Sequence, residues 1–509
     1  MKSLWYGLFD IVPLLNCFPE DVWEVQGDAY QLRRPLLLSD WTRFLHHADH
    51  VRSFGTSDDN HHANIYDRTC ENPGPVSSSA YHALEQSKPR EQFFPNLRRL
   101  HWRSTRDPLR YLRSFVGPKM TEISLAFAHP PNMAERSLLT SLSSMPLITS
   151  FSMSYFNVDG DRFASSTTPI LNGTISSWER LQNLDTPSTF LTTSSLMHIA
   201  LLPNLQRLNV GISPNIDFSC LKTPIFPDLR SLGVYCDSIS KCNALLQMSP
   251  LWTLEEIRVT SDASRLEDAL AIGGFFNTFH SRICKDTLRS IKITNLRAHP
   301  NAANNHFLNF ATLAPLLSFP NLEDLMIMTP HSFDLDNNDL LKLAISWPRW
   351  KQCTLGSRGW GAPSKITPMG LAELLTRCSH LTHLSLAIDA SVIDYDTNST
   401  TYSRPNKLIR HISLQDSRIE DPNMVAAFLS DLLSELSWIS AWSQSVRGRA
   451  EVSSAEAEAF CTRWKETEQA AQVISEGRER QSLIGGHPLS MEEMKCSPTF
   501  AQDAGSMAV

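Results

Sequence analysis

Apolar residues recur along this chain in one short pattern: an apolar anchor, two mostly polar positions, then apolar, polar, apolar. FPNLRRLHW places Leu97, Leu100 and Trp102 in it, KMTEISLAF places Met120, Ile123 and Leu125, and MPLITSFSM places Ile148, Phe151 and Met153. LPNLQRLNV (Leu205, Leu208, Val210), FPDLRSLGV (Leu229, Leu232, Val234) and LWTLEEIRV (Leu254, Ile257, Val259) follow. DTLRSIKI (Leu288, Ile291, Ile293), FPNLEDLMI (Leu322, Leu325, Ile327), SHLTHLSL (Leu381, Leu384, Leu386) and KLIRHISL (Ile409, Ile412, Leu414) complete the clear copies. Weaker copies are anchored at Leu181, Trp350 and Leu436. The last apolar pair of each copy alternates with polar residues, so both side chains lie on one face of a short strand. The anchor sits in the turn before it. Proline precedes the anchor at Pro95, Pro146, Pro203, Pro227 and Pro320, marking that turn.

The intervening segments predict helices. Thr367-Pro368 offers a cap and a first-turn proline ahead of Leu371, Leu374 and Leu375. Asp421-Pro422 does the same ahead of Val425, Phe428, Leu429, Leu432, Leu433 and Leu436, a one-face stripe. Ser188 is placed to open a helix through Leu191, Leu196 and Ile199. A strand and a helix, repeated thirteen times between Leu97 and Leu436, give a mean period of about 28 residues. One unit cannot bury its apolar ridge alone, so the units must stack. The expected fold is α/β, a leucine-rich-repeat solenoid with a curved parallel sheet on the concave side and helices outside. Two departures predict irregular curvature. The Asn or Cys that usually follows the strand is mostly missing, and anchor spacings run from 23 (Leu97 to Met120) to 34 (Leu254 to Leu288).

The ends differ from the array. Residues 1–54 read as helix, loop, helix and strand, with Ser39 capping a helix that carries Trp41, Phe44 and Leu45, and with Ala48, Val51 and Phe54 as a first ridge. Residues 55–90 are a polar loop and short helix, 91–445 the repeats, 446–476 a capping helix with Ala457, Phe460, Trp464, Ala471 and Ile474 on one face, and 477–509 a disordered tail.

Composition narrows the function. Against 46 Lys+Arg stand 53 Asp+Glu, a net charge of −7, which lacks the basic surplus of a nucleic-acid binder. No apolar run approaches the ~18 residues of a membrane span. The ten cysteines are scattered with no C-x-x-C, which argues against a zinc ribbon or disulfide scaffold and for a cytoplasmic or nuclear setting. His46-His47, His50 and His61-His62 lie close in sequence, but no matching Cys or acidic register beyond Asp49 accompanies them, so no metal is expected. Gly273-Gly274 and Gly359-Trp360-Gly361 lack a phosphate-loop pattern, and neither G-x-S-x-G nor H-E-x-x-H occurs. No cofactor, no catalytic residue and no enzyme activity are expected.

Residues between the ridge positions face the concave side. They include Arg99, His101, Arg103, Glu122, Ser124, Arg207, Asn209, Gly233, Tyr235, Glu256, Arg258, Ser290, Lys292, Asp324, Met326, His383 and Ser385. Their signs are mixed and aromatics are few, which suits a protein client and no nucleic acid. Arg99, His101, Arg103, Arg207, Asn209, Tyr235, Arg258, Lys292 and His383 are the candidate contacts, with Arg and Tyr the stronger anchors.

Three segments carry a resemblance: LWYGLFDIVPLLNCFPED, RRPLLLSDWTRFLHHADHVRSF and FFPNLRRLHW. Together they resemble fungal F-box proteins with leucine-rich-repeat tails, and DPNMVAAFLSDLLSELSWISAW is similar to that group's last repeat. The resemblance covers about residues 4–465. It implies a receptor that recruits a client protein to a cullin-type ubiquitin ligase, with an adaptor bound at the amino end. Leu4, Trp5, Leu8 and Leu14 would be the adaptor-facing remnant. The L-P-x-E opening of an F-box and its two following helices would lie upstream of Met1, so the resemblance leaves two alternatives: the module precedes this sequence, or the chain has lost its adaptor contact. The alternative is a repeat scaffold with no ligase role.

Overall fold

The computed structural model describes residues 5–26, 29–55, 76–104, 109–127, 131, 133–155, 161–221, 225–262, 269–295, 307–329, 331–391, 405–447 and 452–485. The chain divides into two compact units, Met1–Asp334 with Lys342–Ser357, and Leu335–Leu341 with Arg358–Val509.

The first unit is built on a parallel sheet whose strands are neighbours in chain order. They are β1 Gly7–Leu8, β2 Ser53–Phe54, β3 Arg99–Ser104, β4 Glu122–Phe127, β5 Ser150–Tyr155 and β6 Asn183–Leu191. β7 Arg207–Ile212, β8 Ser231–Cys236, β9 Glu256–Ser261, β10 Ser290–Asn295, β11 Asp324–Met328 and β12 Gln352–Leu355 follow. The helices Met133–Ser141, Asp161–Ile175, Thr193–Ala200, Ile239–Gln247 and Ala269–Arg282 lie between successive strands in the chain. This is an α/β leucine-rich-repeat solenoid.

The repeat motif explains the register. Every one of the thirteen anchors is at most 6% exposed, and every strand from Arg99 onward in the repeat series starts two residues after its anchor. The residue between anchor and strand carries a backbone ladder. The Arg98 carbonyl accepts from the N–H of Thr121 at 2.9 Å and of Glu122 at 3.0 Å. Thr121, Thr149, Gln182, Gln206, Arg230, Glu255, Arg289 and Glu323 repeat that double acceptance for the next strand. At two of the three Pro-Asn-Leu turns the asparagine ties units together: Asn96 Nδ2 donates to Asp49 O at 3.0 Å, and Asn321 Nδ2 to Asp286 O at 2.9 Å.

The amino-terminal segment continues this sheet. β1 pairs in parallel with β2, and β2 with β3. A cluster of rings seals it: Phe18, Trp41, Phe44 and Phe93 contact one another at centroid distances of 5.0–6.2 Å. An antiparallel hairpin, Trp23–Gln26 with Ala29–Leu32, lies between the expected helices. Ser39 does not cap the helix Trp41–Ala48; Asp40 holds the cap position, and its carboxylate instead bonds Arg34 and the Leu37 N–H. Ser188 likewise opens no helix. It belongs to β6, and Thr192 caps the helix Thr193–Ala200 through the Ser195 N–H.

The second unit carries β13 His383–Ser385, β14 His411–Gln415 and β15 Trp438–Ala441, all parallel, with a register shift between Ser413 and Gln415 where β14 meets β15. Its helices include Pro368–Arg377, Pro422–Leu432 and Ser454–Gly485, the last running past 476. Asp421 caps the second of these by accepting from the N–H groups of Asn423 and Met424, and Thr367 holds the cap position of the first. Gly359-Trp360-Gly361 has a structural use. Asp416 Oδ1 accepts from the Trp360 N–H at 2.8 Å and Oδ2 from the Gly361 N–H at 2.7 Å, while Trp360 is fully buried. Gly273-Gly274 sits inside the helix Ala269–Arg282.

Candidate functional site

The alternation that buries the ridge turns every second strand residue to the opposite side of the sheet. Strand pairing lines these residues up into rows. In the first unit one row runs Arg99, Glu122, Ser150, Asn183, Arg207, Ser231, Glu256, Ser290, Asp324. The next runs His101, Ser124, Ser152, Asp185, Asn209, Gly233, Arg258, Lys292, Met326. Arg103 on β3 and Tyr235 on β8 lie in a third row. Eight of the nine candidate contacts therefore share the open face of this sheet. His383 lies on β13 in the second unit.

The face is chemically graded. β3 carries Arg99, His101 and Arg103, with His101 Nε2 4.0 Å from Glu122 Oε1. β4 and β5 present Ser124, Ser150, Ser152 and Ser154, a shallow hydroxyl floor. In the middle, Asn209 Nδ2 donates to Asp185 Oδ1 at 2.7 Å, and the Asn209 amide occupies the space that Gly233 leaves by lacking a β-carbon. Tyr235 packs edge-on against Phe190 at 5.9 Å. Burial, reinforced by the Asp262 carboxylate that its hydroxyl bonds, holds the Tyr235 phenol protonated well above its usual range. Burial also raises the Asp262 carboxyl, opposed by that hydrogen bond.

β9 to β11 hold the charges. Glu256 accepts from Arg258 at 3.2 Å and Ser231 Oγ at 3.3 Å, and Lys292 Nζ stands 3.7 Å away. At the strand-entering edge, Arg230 pairs with Glu255 at 3.1 Å, Arg289 with Glu323 at 3.0 Å, and Lys351 with Glu323 at 2.6 Å. Sequence spacing missed Asp185, Phe190, Asp262 and Met328. Asp185 follows the weak Leu181 copy, and the others lie past the motif's last apolar position.

In the second unit the His411 ring lies 5.6 Å from Trp438, which is 63% exposed. Burial, then the neighbouring His383, pushes the His411 imidazole below its usual range, with Glu468 opposing. A groove of about 350 Å³ beside it is lined by Trp438, Trp442, Arg447, Trp464 and Glu468 among others.

The remnant residues at the amino end are placed differently from one another. Leu4 lies outside the described residues, and the Trp5 ring stacks on His47 at 4.2 Å. Leu8 is 6% exposed and Leu14 fully buried, so both are used inside the fold and offer an adaptor no surface. Tyr6 and Phe9 are the exposed neighbours. Among the described residues no group of three or more His, Cys, Asp or Glu side chains could hold a metal ion; His61 and His62 lie outside them. No helix among the described residues is long and apolar enough to cross a membrane.

No protein-family model matches this sequence. No curated protein matches it either. Among solved structures, the chain is similar to an internalin from Listeria monocytogenes, at 13% identity over 71% of this chain and 80% of that one, with a TM-score of 0.30. It is also similar to the plant peptide hormone receptor RGFR1 in complex with RGF2, at 11% identity over 69% of this chain and 48% of that one, with a TM-score of 0.26. A third likeness is the APL1 leucine-rich repeat domain, at 14% identity over 70% of this chain and 74% of that one, with a TM-score of 0.26.

Proposed function

We propose that the open sheet face of the first unit holds a client protein, and that the chain is a binding protein without chemistry of its own. The observation that carries this reading is the in-register arrangement of Asn209, Tyr235, Arg258 and Lys292 with Asp185 and Glu256 on one continuous face. Mixed signs, a half-buried tyrosine and a guanidinium suit a folded or extended polypeptide. Arg99, His101, Arg103, Arg207 and His383 are further contacts under the same reading.

The resemblance to fungal F-box proteins extends it: the chain recruits that client to a cullin-type ubiquitin ligase, and transfer is accelerated by proximity. The domain boundaries proposed with it are 1–54, 55–90, 91–445, 446–476 and 477–509. An adaptor contact would use Trp5, Tyr6 and Phe9 in place of the buried Leu8 and Leu14. The burial of those two leucines favours the second reading, a repeat scaffold that binds clients with no ligase. A cytoplasmic or nuclear location is supported by free thiols at Cys17, Cys220, Cys236, Cys242, Cys284, Cys353, Cys378 and Cys461.

Affinity capture of the full chain under proteasome inhibition tests both levels. Clients lost on Tyr235→Ala and Arg258→Glu but kept on Lys285→Glu support the sheet-face reading. Clients indifferent to all three overturn it. Co-purification of a ligase adaptor, lost on Phe9→Ala, supports the recruiting role, and its absence leaves the scaffold.

A further inference from the structure

Each cation near Asp324 is committed elsewhere. Arg289 and Lys351 both pair with Glu323 on the strand-entering edge, at 3.0 and 2.6 Å. Lys292, one strand away and only 12% exposed, leans to Glu256 at 3.7 Å. Asp324 is half-buried on the open face, and its carboxylate makes no hydrogen bond or ion pair among the described residues. Beside it in register sits Ser290, 7% exposed, whose Oγ has no hydrogen-bond partner. A buried hydroxyl left without a partner is unfavourable, and so is a half-buried carboxylate without a hydrogen bond or a close ion pair. The two stand side by side, about 4.8 Å apart along the row.

The neighbours define what reaches them. Met326 and Met328 alternate with buried residues on the same strand, so the thioethers and the carboxylate share one face. Both methionines are half-buried. A flexible, polarisable wall ending in an acceptor matches a side chain with a long aliphatic stem and a cationic head. We propose that Asp324, Met326 and Met328 form a subsite for a lysine or arginine side chain of the polypeptide held on the sheet face. The stem lies along Met328 and Met326. The ammonium or guanidinium donates to the Asp324 carboxylate. Burial, the main influence on the Asp324 carboxyl, raises it above its ordinary range, opposed by the fields of Lys292 and Lys351.

This subsite rests on the sheet-face reading, and one experiment separates the two. A library of random dodecamer peptides is panned on the full chain, and the recovered peptides are synthesised. The expected result is a shared Lys or Arg at one position. Its replacement by norleucine or citrulline, respectively, weakens binding about tenfold or more. On Asp324→Asn, an isosteric variant whose folding is checked by circular dichroism, parent and neutral peptides bind within about twofold of each other. Peptides that lose binding on Tyr235→Ala yet show no coupling to Asp324 overturn the subsite and leave the sheet-face reading standing. Recovery of no binding peptide overturns both.

Discussion

Glu323 and Asp324 are adjacent in sequence, yet their carboxylates meet opposite surroundings. Glu323 is clamped between Lys351 and Arg289, at 2.6 and 3.0 Å, and these hydrogen bonds, that from Lys351 first, hold its carboxyl below the usual range. Asp324 turns to the open face, where burial raises its carboxyl. The signs oppose in folding. For Glu323 the folded value is depressed, so its contribution is present above the unfolded value near 4.5 and is lost as pH falls through the folded value. For Asp324 the folded value is raised, so its ionisation disfavours the fold at neutral pH and protonation relieves that as pH falls. Chemical denaturation at pH 7 should show Glu323→Gln less stable by about 0.5–1 kcal/mol, since its partners are half in solvent. Asp324→Asn should be more stable than the parent at pH 7, with the difference vanishing in acid. Equal stability of Asp324→Asn and parent at every pH would contradict this.

Gly233 sets the position of Asn209. A β-carbon at residue 233 would lie 2.3 Å from Asn209 Oδ1 and 2.7 Å from its Cγ, so the whole amide must move. That movement breaks the 2.7 Å bond from Asn209 to Asp185. Gly233→Ala should therefore cost about 1–2 kcal/mol. In an Asn209→Ala background the same change should cost little, because the obstacle is gone. A double-mutant cycle with no coupling would show that the notch is not held this way.

How much of this was legible beforehand depends on what the backbone repeats. The anchor and its alternating pair mark a ridge that must be buried, so all thirteen strand positions could be read from it. The open-face residues followed by parity alone. Parity cannot report which charges pair, so the commitment of Lys292 to Glu256 and of Lys351 to Glu323 was invisible, and with it the isolation of Asp324. Ser39 and Ser188 do not start helices because several Ser, Thr and Asp residues compete near each boundary, and Asp40 and Thr192 hold the cap positions. Tertiary contacts decided those cases: Arg34 draws in the Asp40 carboxylate, and the pairing of β6 with β7 extends to Leu191. Leu8 and Leu14 resembled a docking surface by motif, but their segment adds a strand to the sheet and buries them.

Gly359 stands with φ of +87°, and a β-carbon there would meet the Asp416 carboxylate carbon at 2.8 Å. Gly359→Ala should cost about 1–2 kcal/mol from the backbone conformation alone. Displacement of Asp416 from the Trp360 and Gly361 N–H groups adds to it. Asp416→Asn turns one acceptor into a donor facing an N–H group, and should cost about 1–3 kcal/mol. Amide exchange at Trp360 and Gly361 offers the local readout. It should quicken in both variants as the loop loosens, and unchanged exchange would mean that the loop does not depend on the carboxylate.

The edge of the second unit's sheet is closed by side chains. β15 would otherwise present unpaired backbone groups, the kind of edge that templates association. Glu468 Oε2 accepts from the Ile439 N–H at 2.6 Å, and Gln472 Nε2 donates to Ser437 O at 2.7 Å. Both residues lie one turn apart on the helix Ser454–Gly485, so one helical face imitates the next strand. Trp464 fixes the helix by donating to Ser417 O at 2.9 Å, beside the 2.7 Å bond that Trp442 makes to the same carbonyl. Glu468→Ala with Gln472→Ala should open the edge while Trp464 still anchors the helix. The expected signature is faster amide exchange at residues 437–441, a loss of about 1–3 kcal/mol, and concentration-dependent light scattering on mild heating. Trp464→Ala should go further, because it removes the anchor, at about 3–5 kcal/mol for a buried aromatic. Unchanged exchange at Ile439 in the double variant would show that the helix does not serve as the missing strand.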